Sequence, residues 1–362
     1  MSGPVDWELA QRVASKIATR NQSAPSYHYA TLAPDFERFT AEAEELVAAE
    51  TGLRSLTGDA RARVADRPMW IGANIQSFQR LLAPVTEKLG AKTDLSRLGG
   101  VAGKIGGVEV GVLLGWMSSR VLGQYDLLII EDENPEDQDI VYYVGPNVMA
   151  LEKKHGFPPE EFRLWLALHE VTHRAQFTGV PWLREHFLGL VGQTLDAVDP
   201  DPKVLKKAVE RIIEGRKTGE DVLAEGGVAG LLATPEQREV LNQISGMMSL
   251  LEGHGDVTMD RAGADRIPSA ERFSSTLRAR RNSARGLSRI FQKIIGMEAK
   301  LNQYQAGELF IAAVEGAGGT ALLDRAWEKP DHLPSMDEIK TPQLWIDRMS
   351  TDSEDQDAVV VS

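Results

Sequence analysis

The segment from Phe162 to Phe177 contains two histidines and a glutamate whose spacing suits metal chemistry. His169 and His173 are four residues apart, so on a helix they project from one face and can both reach a single zinc ion. Glu170 then lies beside the metal, where its carboxylate can take a proton from a zinc-bound water and pass it to a leaving amine. This His-Glu-x-x-His pattern predicts a zinc-dependent hydrolytic centre with Glu170 as general base.

The residues around these three are apolar on almost every side, which predicts a helix buried in the middle of a domain. Pro158 suits the first turn of such a helix. Two buried histidines and a buried glutamate without partners would cost several kcal/mol in total, whereas a bound metal ion satisfies them. The chain has no cysteine, so the metal ligands must come from histidine, aspartate and glutamate.

A zinc site of this kind needs a third protein ligand from a second element. The best candidate is Glu252, which continues a predicted helix with apolar neighbours and is followed four residues later by Asp256. Asp256 can then hydrogen-bond the outer nitrogen of a ligating histidine and orient it. His254 is the alternative third ligand. Either His254, if it is not a ligand, or Tyr304 can stabilise the oxyanion of the transition state.

Helical periodicity dominates the chain and predicts a mainly α protein with a small β-hairpin or sheet. The strand signal is confined to Leu127–Ile130 and Ile140–Val144, which flank an acidic connection and are expected to form a hairpin. Ile140–Val144 is expected to be an edge strand that can pair with an extended peptide. Helices are predicted at Asp6–Arg20, Pro34–Glu50, Pro68–Leu89, Val108–Leu122, Pro158–Phe177, Val204–Glu214, Pro235–Met259, Ser275–Ile295 and Ala299–Val314.

Four regions are expected along the chain. Residues 1–125 form an N-terminal helical region, and residues 126–262 form a core with the hairpin, the metal helix and the third-ligand helix. Residues 263–350 form a C-terminal helical region that packs on this core. Residues 351–362 carry four acidic side chains and no helical pattern, which indicates a flexible acidic tail.

Composition excludes several classes of function. The formal charge of −13 over 362 residues argues against a nucleic-acid-binding protein, which needs a concentrated basic surface. No membrane span is expected, because Glu109 interrupts the apolar stretch Val108–Leu122. The N-terminus lacks the pattern of a secretory signal, so a cytoplasmic location is expected. The sequence does not indicate an oligomeric state.

Together these residues make the chain resemble a zincin of the gluzincin type, in which a downstream Glu followed by an Asp completes the His-Glu-x-x-His helix. Beyond that core, it is similar to an actinobacterial zincin-like family often labelled as hydrolases or as associated with deazaflavin-coenzyme biosynthesis. The resemblance implies a zinc-bound, mostly helical metalloprotease fold that acts on a peptide or protein substrate. The matching stretches are Val5–Trp7, Val121–Asp126, the metal helix, Leu251–His254, Gln303–Glu308 and Leu333–Pro334.

Two other interpretations are open at this point. A zinc-binding protein with a structural or non-catalytic peptide-binding role would use the same ligands, but it would have no need of Glu170. A di-iron carboxylate bundle would use Glu-x-x-His pairs from two helices, and Glu152 with His155 supplies a second pair. Arg174 departs from the zincin pattern, because uncharged residues are common directly after the second histidine.

Overall fold

The computed structural model describes residues 5–19, 27–92, 99–127, 139–196, 234–282 and 297–360. The chain divides into two compact units. The first comprises Met1–Gly179 and Thr258–Phe273, and the second comprises Val180–Val257 and Ser274–Ser362. Helices predominate in the described residues, and three short strands form one sheet, so the predicted fold class is confirmed.

The first unit contains the sheet and the helices that cover it. Its elements are α1 (Trp7–Thr19), α2 (Leu32–Thr51), β1 (Arg61–Ala65), α3 (Arg67–Lys92), α4 (Gly99–Met117), β2 (Gly123–Tyr125), β3 (Ile140–Val144), α5 (Gly145–His155) and α6 (Pro159–Gly179). The strand order is β1-β3-β2, with β1 parallel and β2 antiparallel to β3.

The strand that was expected at the edge lies in the centre of this sheet. Ile140–Val144 pairs on both sides, and all five of its residues are buried. Its antiparallel partner is Gly123–Tyr125 rather than Leu127–Ile130, and residues 128–138 of the predicted hairpin lie outside the described residues. The strand Arg61–Ala65 was not predicted, because its two arginines hide the apolar pattern of a short, partly exposed strand.

Side chains that alternate along β3 face helices on opposite sides of the sheet. Tyr143 stacks on Phe36 of α2 with ring centroids 3.8 Å apart, and its hydroxyl lies 2.8 Å from the Thr40 hydroxyl. Burial, helped by the charge of Glu170, raises the pKa of the Tyr143 phenol well above its ordinary value, so this hydroxyl stays neutral. Tyr142 points to the other face, into the core formed with α1, α3 and α4.

The glycines of α4 permit close packing against α1. A Cβ added at Gly111 would lie 2.6 Å from the backbone oxygen of Ala10, and one at Gly107 would lie 2.4 Å from that of Asp6. Ala10, Ala14 and Ala18 of α1 are buried in turn. Small residues on both helices therefore bring the two backbones together.

The second unit is helical in the residues that the structure describes. Its elements are α7 (Leu183–Asp196), α8 (Pro235–Ala262), α9 (Ala270–Asn282), α10 (Met297–Asp324), α11 (Met336–Lys340) and α12 (Pro342–Val360), of which α8 and α9 have end residues in the first unit. Helix α12 continues through most of the segment 351–362. The predicted helix Val204–Glu214 lies outside the described residues, as does the latter part of Ser275–Ile295.

The only segment in the described part of the chain with the length and hydropathy of a membrane span, Ala306–Trp327, begins in α10 and ends in the short 3₁₀ helix Arg325–Trp327. Gly319 interrupts this segment with a non-helical backbone conformation, φ 70° and ψ −172°. Phe310 and Val314 before the break, and Leu323 after it, pack into the core of the second unit. The break at Gly319 and these buried contacts argue against a continuous membrane span.

Helix α11 begins with a capping box. The Ser335 hydroxyl accepts a hydrogen bond from the Glu338 backbone N–H, and the Glu338 carboxylate accepts one from the Ser335 N–H. Arg348 of α12 donates two further bonds to that carboxylate, at 2.6 and 3.0 Å. Burial alone would raise the pKa of Glu338, but these hydrogen bonds outweigh it and hold the pKa below its ordinary value.

Candidate metal centre

After its exposed first turn, helix α6 is buried except at the two histidines that the sequence singles out. Every residue from Phe162 to Thr178 is buried apart from His169 and His173, which are half-buried. A fully enclosed helix has no polar face, which explains why its apolar residues surround the histidines rather than forming a stripe. Between Phe162 and Thr178, the two imidazoles are the polar groups that stay partly exposed.

The two imidazole rings face each other through the nitrogens that would bind a metal. The Nε2 atoms of His169 and His173 are 3.3 Å apart, and the rings are nearly perpendicular at 83°. The Nδ1 atom of His173 lies 3.0 Å from the side-chain oxygen of Gln176. An amide oxygen only accepts, so this contact places the proton on Nδ1 and leaves the Nε2 lone pair directed at His169.

A carboxylate completes the donor set. Ligand atoms of His169, His173 and Glu252 all lie within 4.8 Å of one another, and Glu252 is only 6% exposed. Two nitrogen ligands bound to one zinc ion at about 2.0–2.1 Å in tetrahedral geometry lie roughly 3.3 Å apart, which matches the observed separation of the Nε2 atoms. Two imidazoles and one carboxylate are also a known donor set for catalytic zinc. The residues present therefore fit a divalent metal ion such as zinc.

Strand β2 holds the Glu170 carboxylate. The Tyr125 backbone N–H donates to Glu170 Oε2 at 3.1 Å. A Cβ added at Gly123 would lie 2.6 Å from Glu170 Oε1 and 2.7 Å from Glu170 Cγ, so only glycine leaves room for this side chain. Gly123 and Tyr125 belong to one of the stretches that match the family, but the sequence gives neither a role. Gln176 was not predicted either, although it lies three residues from His173 and so on the same helix face.

Side chains of α3 fix strand β2 from the opposite face of the sheet. Trp70 Nε1 donates to the side-chain oxygen of Gln124 at 2.7 Å, and Gln124 Nε2 donates to Asn74 Oδ1 at 3.2 Å. The Asn74 amide donates in turn to the Trp70 carbonyl at 2.9 Å. This chain of hydrogen bonds keeps β2 in place, and β2 in turn supports Glu170.

Arg174 is enclosed by acidic residues and is not exposed to solvent. Its side chain is 1% exposed and forms ion pairs of 2.6 Å with both Glu44 of α2 and Asp139, the residue before β3. It also donates to the Gly58 carbonyl at 2.7 Å. Burial alone would lower the pKa of Arg174, but the hydrogen bonds and charge of Asp139 outweigh it and raise the pKa. Arg174 therefore ties the metal helix to α2 and to the start of β3.

The remaining predicted site residues lie on α8 and α10. His254 is buried, and its ring packs edge-on against Trp327 with centroids 5.2 Å apart. It is not a member of the donor group that contains Glu252. Asp256 is half-buried one turn after Glu252, and its proposed contact with a histidine stays a prediction. The side chain of Tyr304 lies outside the described residues.

The second Glu-x-x-His pair of the di-iron interpretation has another role. Glu152 accepts hydrogen bonds from Arg163 at 2.8 and 3.0 Å, and both side chains are buried. Arg163 also pairs with Asp35. Because Glu152 is engaged in this ion pair, the structure does not support a di-iron site.

Comparisons with known proteins agree with this geometry. The chain is similar to a protein from Chloroflexus aurantiacus described as a "putative hydrolase with a novel fold", whose crystal structure matches with a TM-score of 0.72. The two are 33% identical, and the match covers 96% of this chain and 99% of the other. A search of curated proteins finds no match. The sequence profile of the Zincin-like metallopeptidase family matches residues 5–346, so the chain belongs to that family.

Proposed function

We propose that this protein is a zinc-dependent metallopeptidase that cleaves peptide bonds, with His169, His173 and Glu252 as zinc ligands and Glu170 as general base. Family membership supports zinc-dependent hydrolysis. The position of Glu170, next to the two histidines and held by β2, is the observation that favours catalysis over a structural metal site. A structural site needs no additional carboxylate beside its ligands.

When bound, zinc supplies Lewis acidity that polarises a substrate carbonyl and acidifies a water molecule. The protein supplies the proton transfer. Tyr125 N–H and the space at Gly123 hold the Glu170 carboxylate in one orientation, so it is ready to accept a proton from the attacking water. The same carboxylate then donates that proton to the leaving amine. His254 and Tyr304 are proposed as stabilisers of the oxyanion, and Asp256 as a support for a ligating histidine.

We propose that the peptide substrate pairs with β2, which replaces β3 as the edge strand beside the metal helix. Leu122 and Asp126, at the two ends of β2, form backbone hydrogen bonds with β3. In an antiparallel ladder such bonds use alternate residues, so the backbone groups of Gly123 and Tyr125 face away from β3. The Tyr125 N–H donates to Glu170 on this side, so we propose Gly123 as the residue that pairs with the peptide. An extended peptide added at this edge would lie next to Glu170.

The observed contacts offer no support for a coenzyme-biosynthetic reaction, and we propose none.

The test compares two variants in which a glutamate of α6 becomes glutamine. Glu170→Gln is expected to keep one zinc ion per chain but to cleave peptides more slowly by about 10²–10⁴-fold, the usual contribution of a general base. Glu160→Gln is the matched control, because Glu160 lies in the first turn of the same helix and its side chain is 77% exposed. It should retain both zinc and activity.

Metal content is measured by elemental analysis, and cleavage by mass spectrometry of a peptide library. Loss of zinc on His169→Ala, with zinc retained in Glu170→Gln, would support the assignment of ligand and base. A wild-type protein that binds no divalent metal would refute the proposal. Zinc in the wild type without cleavage of any peptide would instead favour the non-catalytic peptide-binding role.

A further inference from the structure

The turn of α8 that carries Glu252 is in backbone contact with α10. A Cβ added at Gly253 would lie 2.5 Å from the carbonyl carbon of Gly307 and 2.7 Å from its Cα. A Cβ added at Gly307 would lie 2.0 Å from the backbone oxygen of Ser249 and 3.1 Å from the Cα of Gly253. Side-chain atoms do not approach a backbone this closely, so the two helices can cross here only because both residues are glycine.

We infer that Gly253 and Gly307 are positioning residues for the metal ligand Glu252. This inference rests on the proposed metal site. Gly253 directly follows Glu252, so the contact with Gly307 sets the position of this part of the α8 backbone. It therefore also sets the position from which the Glu252 side chain extends. Leu250 and Leu251 of the same turn are completely buried, so this turn lies in the interior of its unit.

The size of the effect follows from the contact distances. With an alanine at position 253, α8 and α10 must separate by about 0.9 Å to restore an ordinary 3.4 Å contact between its Cβ and the Gly307 carbonyl carbon. Metal–ligand distances tolerate deviations of about 0.2 Å. Even half of that separation, taken up by α8, exceeds this tolerance and displaces the Glu252 carboxylate from the position in which it completes the proposed site.

Gly246→Ala is the control that distinguishes a positioning role of Gly253 and Gly307 from a purely structural one. Gly246 lies on α8 two turns before Gly253, roughly 10 Å away along the helix axis. A Cβ there would lie 2.2 Å from the Pro334 backbone oxygen, so Gly246→Ala perturbs packing at least as strongly as Gly253→Ala. It does so at a position remote from the ligand.

The experiment measures the zinc dissociation constant of the full chain by competition with a chromophoric chelator, alongside urea unfolding. We expect Gly253→Ala and Gly307→Ala to weaken zinc binding on the order of 10–100-fold, the range seen when the support of a metal ligand is lost. Gly246→Ala should lower stability but change the dissociation constant less than threefold. In a Glu252→Ala background, Gly253→Ala should weaken zinc binding no further, because its effect passes through that carboxylate.

Unchanged zinc affinity in folded Gly253→Ala would overturn the inference. So would a loss of affinity that persists when Glu252 is already alanine, since that would indicate general damage to the site. An equal loss of affinity in Gly246→Ala would show that any packing defect in this helix has the same effect. These results do not depend on cleavage, so a zinc-binding protein without peptidase activity would refute the proposed function and leave this inference intact. A wild type that binds no zinc would refute both.

Discussion

Gly123→Ala is the substitution that most directly tests how the general base is held. The new methyl group would lie 2.6 Å from Glu170 Oε1, so the carboxylate must retreat by about 0.8 Å to reach an ordinary contact of 3.4 Å. Misplacement of a catalytic group by about 1 Å can slow a reaction by roughly 10²-fold. The same movement lengthens the hydrogen bond from the Tyr125 N–H, whose loss is expected to lower the free energy of unfolding by no more than about 2 kcal/mol.

We therefore expect Gly123→Ala to fold, to bind one zinc ion per chain, and to cleave peptides at about one hundredth of the wild-type rate. The assay follows cleavage of a peptide that the wild type cuts, with zinc content and urea unfolding measured on the same samples. Gly72→Ala is the matched control, because Gly72 lies in α3 and a Cβ there meets no atom within 4 Å. It should retain full activity, and its stability should increase slightly, since alanine favours a helix over glycine.

Wild-type cleavage by Gly123→Ala would refute the view that β2 sets the position of Glu170. A fall in zinc content in parallel with the fall in activity would also contradict it, because the substitution would then have damaged the ligands. A crystal structure of the variant would distinguish a displaced Glu170 from a displaced strand.

Three further substitutions test other parts of the structure. Gln176→Ala removes the acceptor for His173 Nδ1 and should weaken zinc binding on the order of 10–100-fold in a chelator competition; unchanged affinity would show that this contact does not orient the ligand. Arg174→Met leaves the Asp139 carboxylate buried without its partner and should lower the free energy of unfolding by about 3–5 kcal/mol in urea; a loss below 1 kcal/mol would contradict the buried ion pair. Glu338→Gln should cost about 1 kcal/mol at neutral pH, measured by thermal unfolding across pH. The folded-state pKa of Glu338 is lowered, so this stabilisation is present above the pKa of an unfolded glutamate and is lost as pH falls through the folded-state pKa. The stabilities of variant and wild type should therefore converge in acid. A difference in stability that stays constant with pH would refute this assignment.

The metal helix could be predicted from sequence because all of its signals are local. The four-residue spacing of His169 and His173 fixes their common face, and their apolar neighbours indicate burial. Glu252 required one further step, since a third ligand must come from another element. Asp256, four residues later, favours Glu252 over His254, and Glu252 is the residue whose ligand atoms lie within 4.8 Å of those of His169 and His173. Its binding of zinc stays a prediction.

The sheet was harder to predict because its order is set by contacts between distant segments. The apolar run Ile140–Val144 indicates a strand, but five buried residues do not show whether a strand is central or at an edge. Its neighbour β1 is distant in the chain, since the paired residues Arg61 and Ile140 are 79 positions apart. The role of β2 was hidden for a similar reason, since a three-residue strand containing glycine has little strand propensity of its own.

Arg174 shows how an apparent departure from a motif can be explained by residues far from it. A charged residue directly after the second histidine raised doubt about catalysis, because an arginine inside a buried helix requires compensation. The compensation comes from Glu44, 130 residues earlier, and from Asp139, 35 residues earlier. Asp139 adopts a left-handed backbone conformation with φ 53°, which aspartate tolerates better than most residues, and it accepts two hydrogen bonds from the Arg174 guanidinium. The arginine thus joins α6 to α2 and to the start of β3, so its charge stabilises the position of the helix that carries the metal ligands.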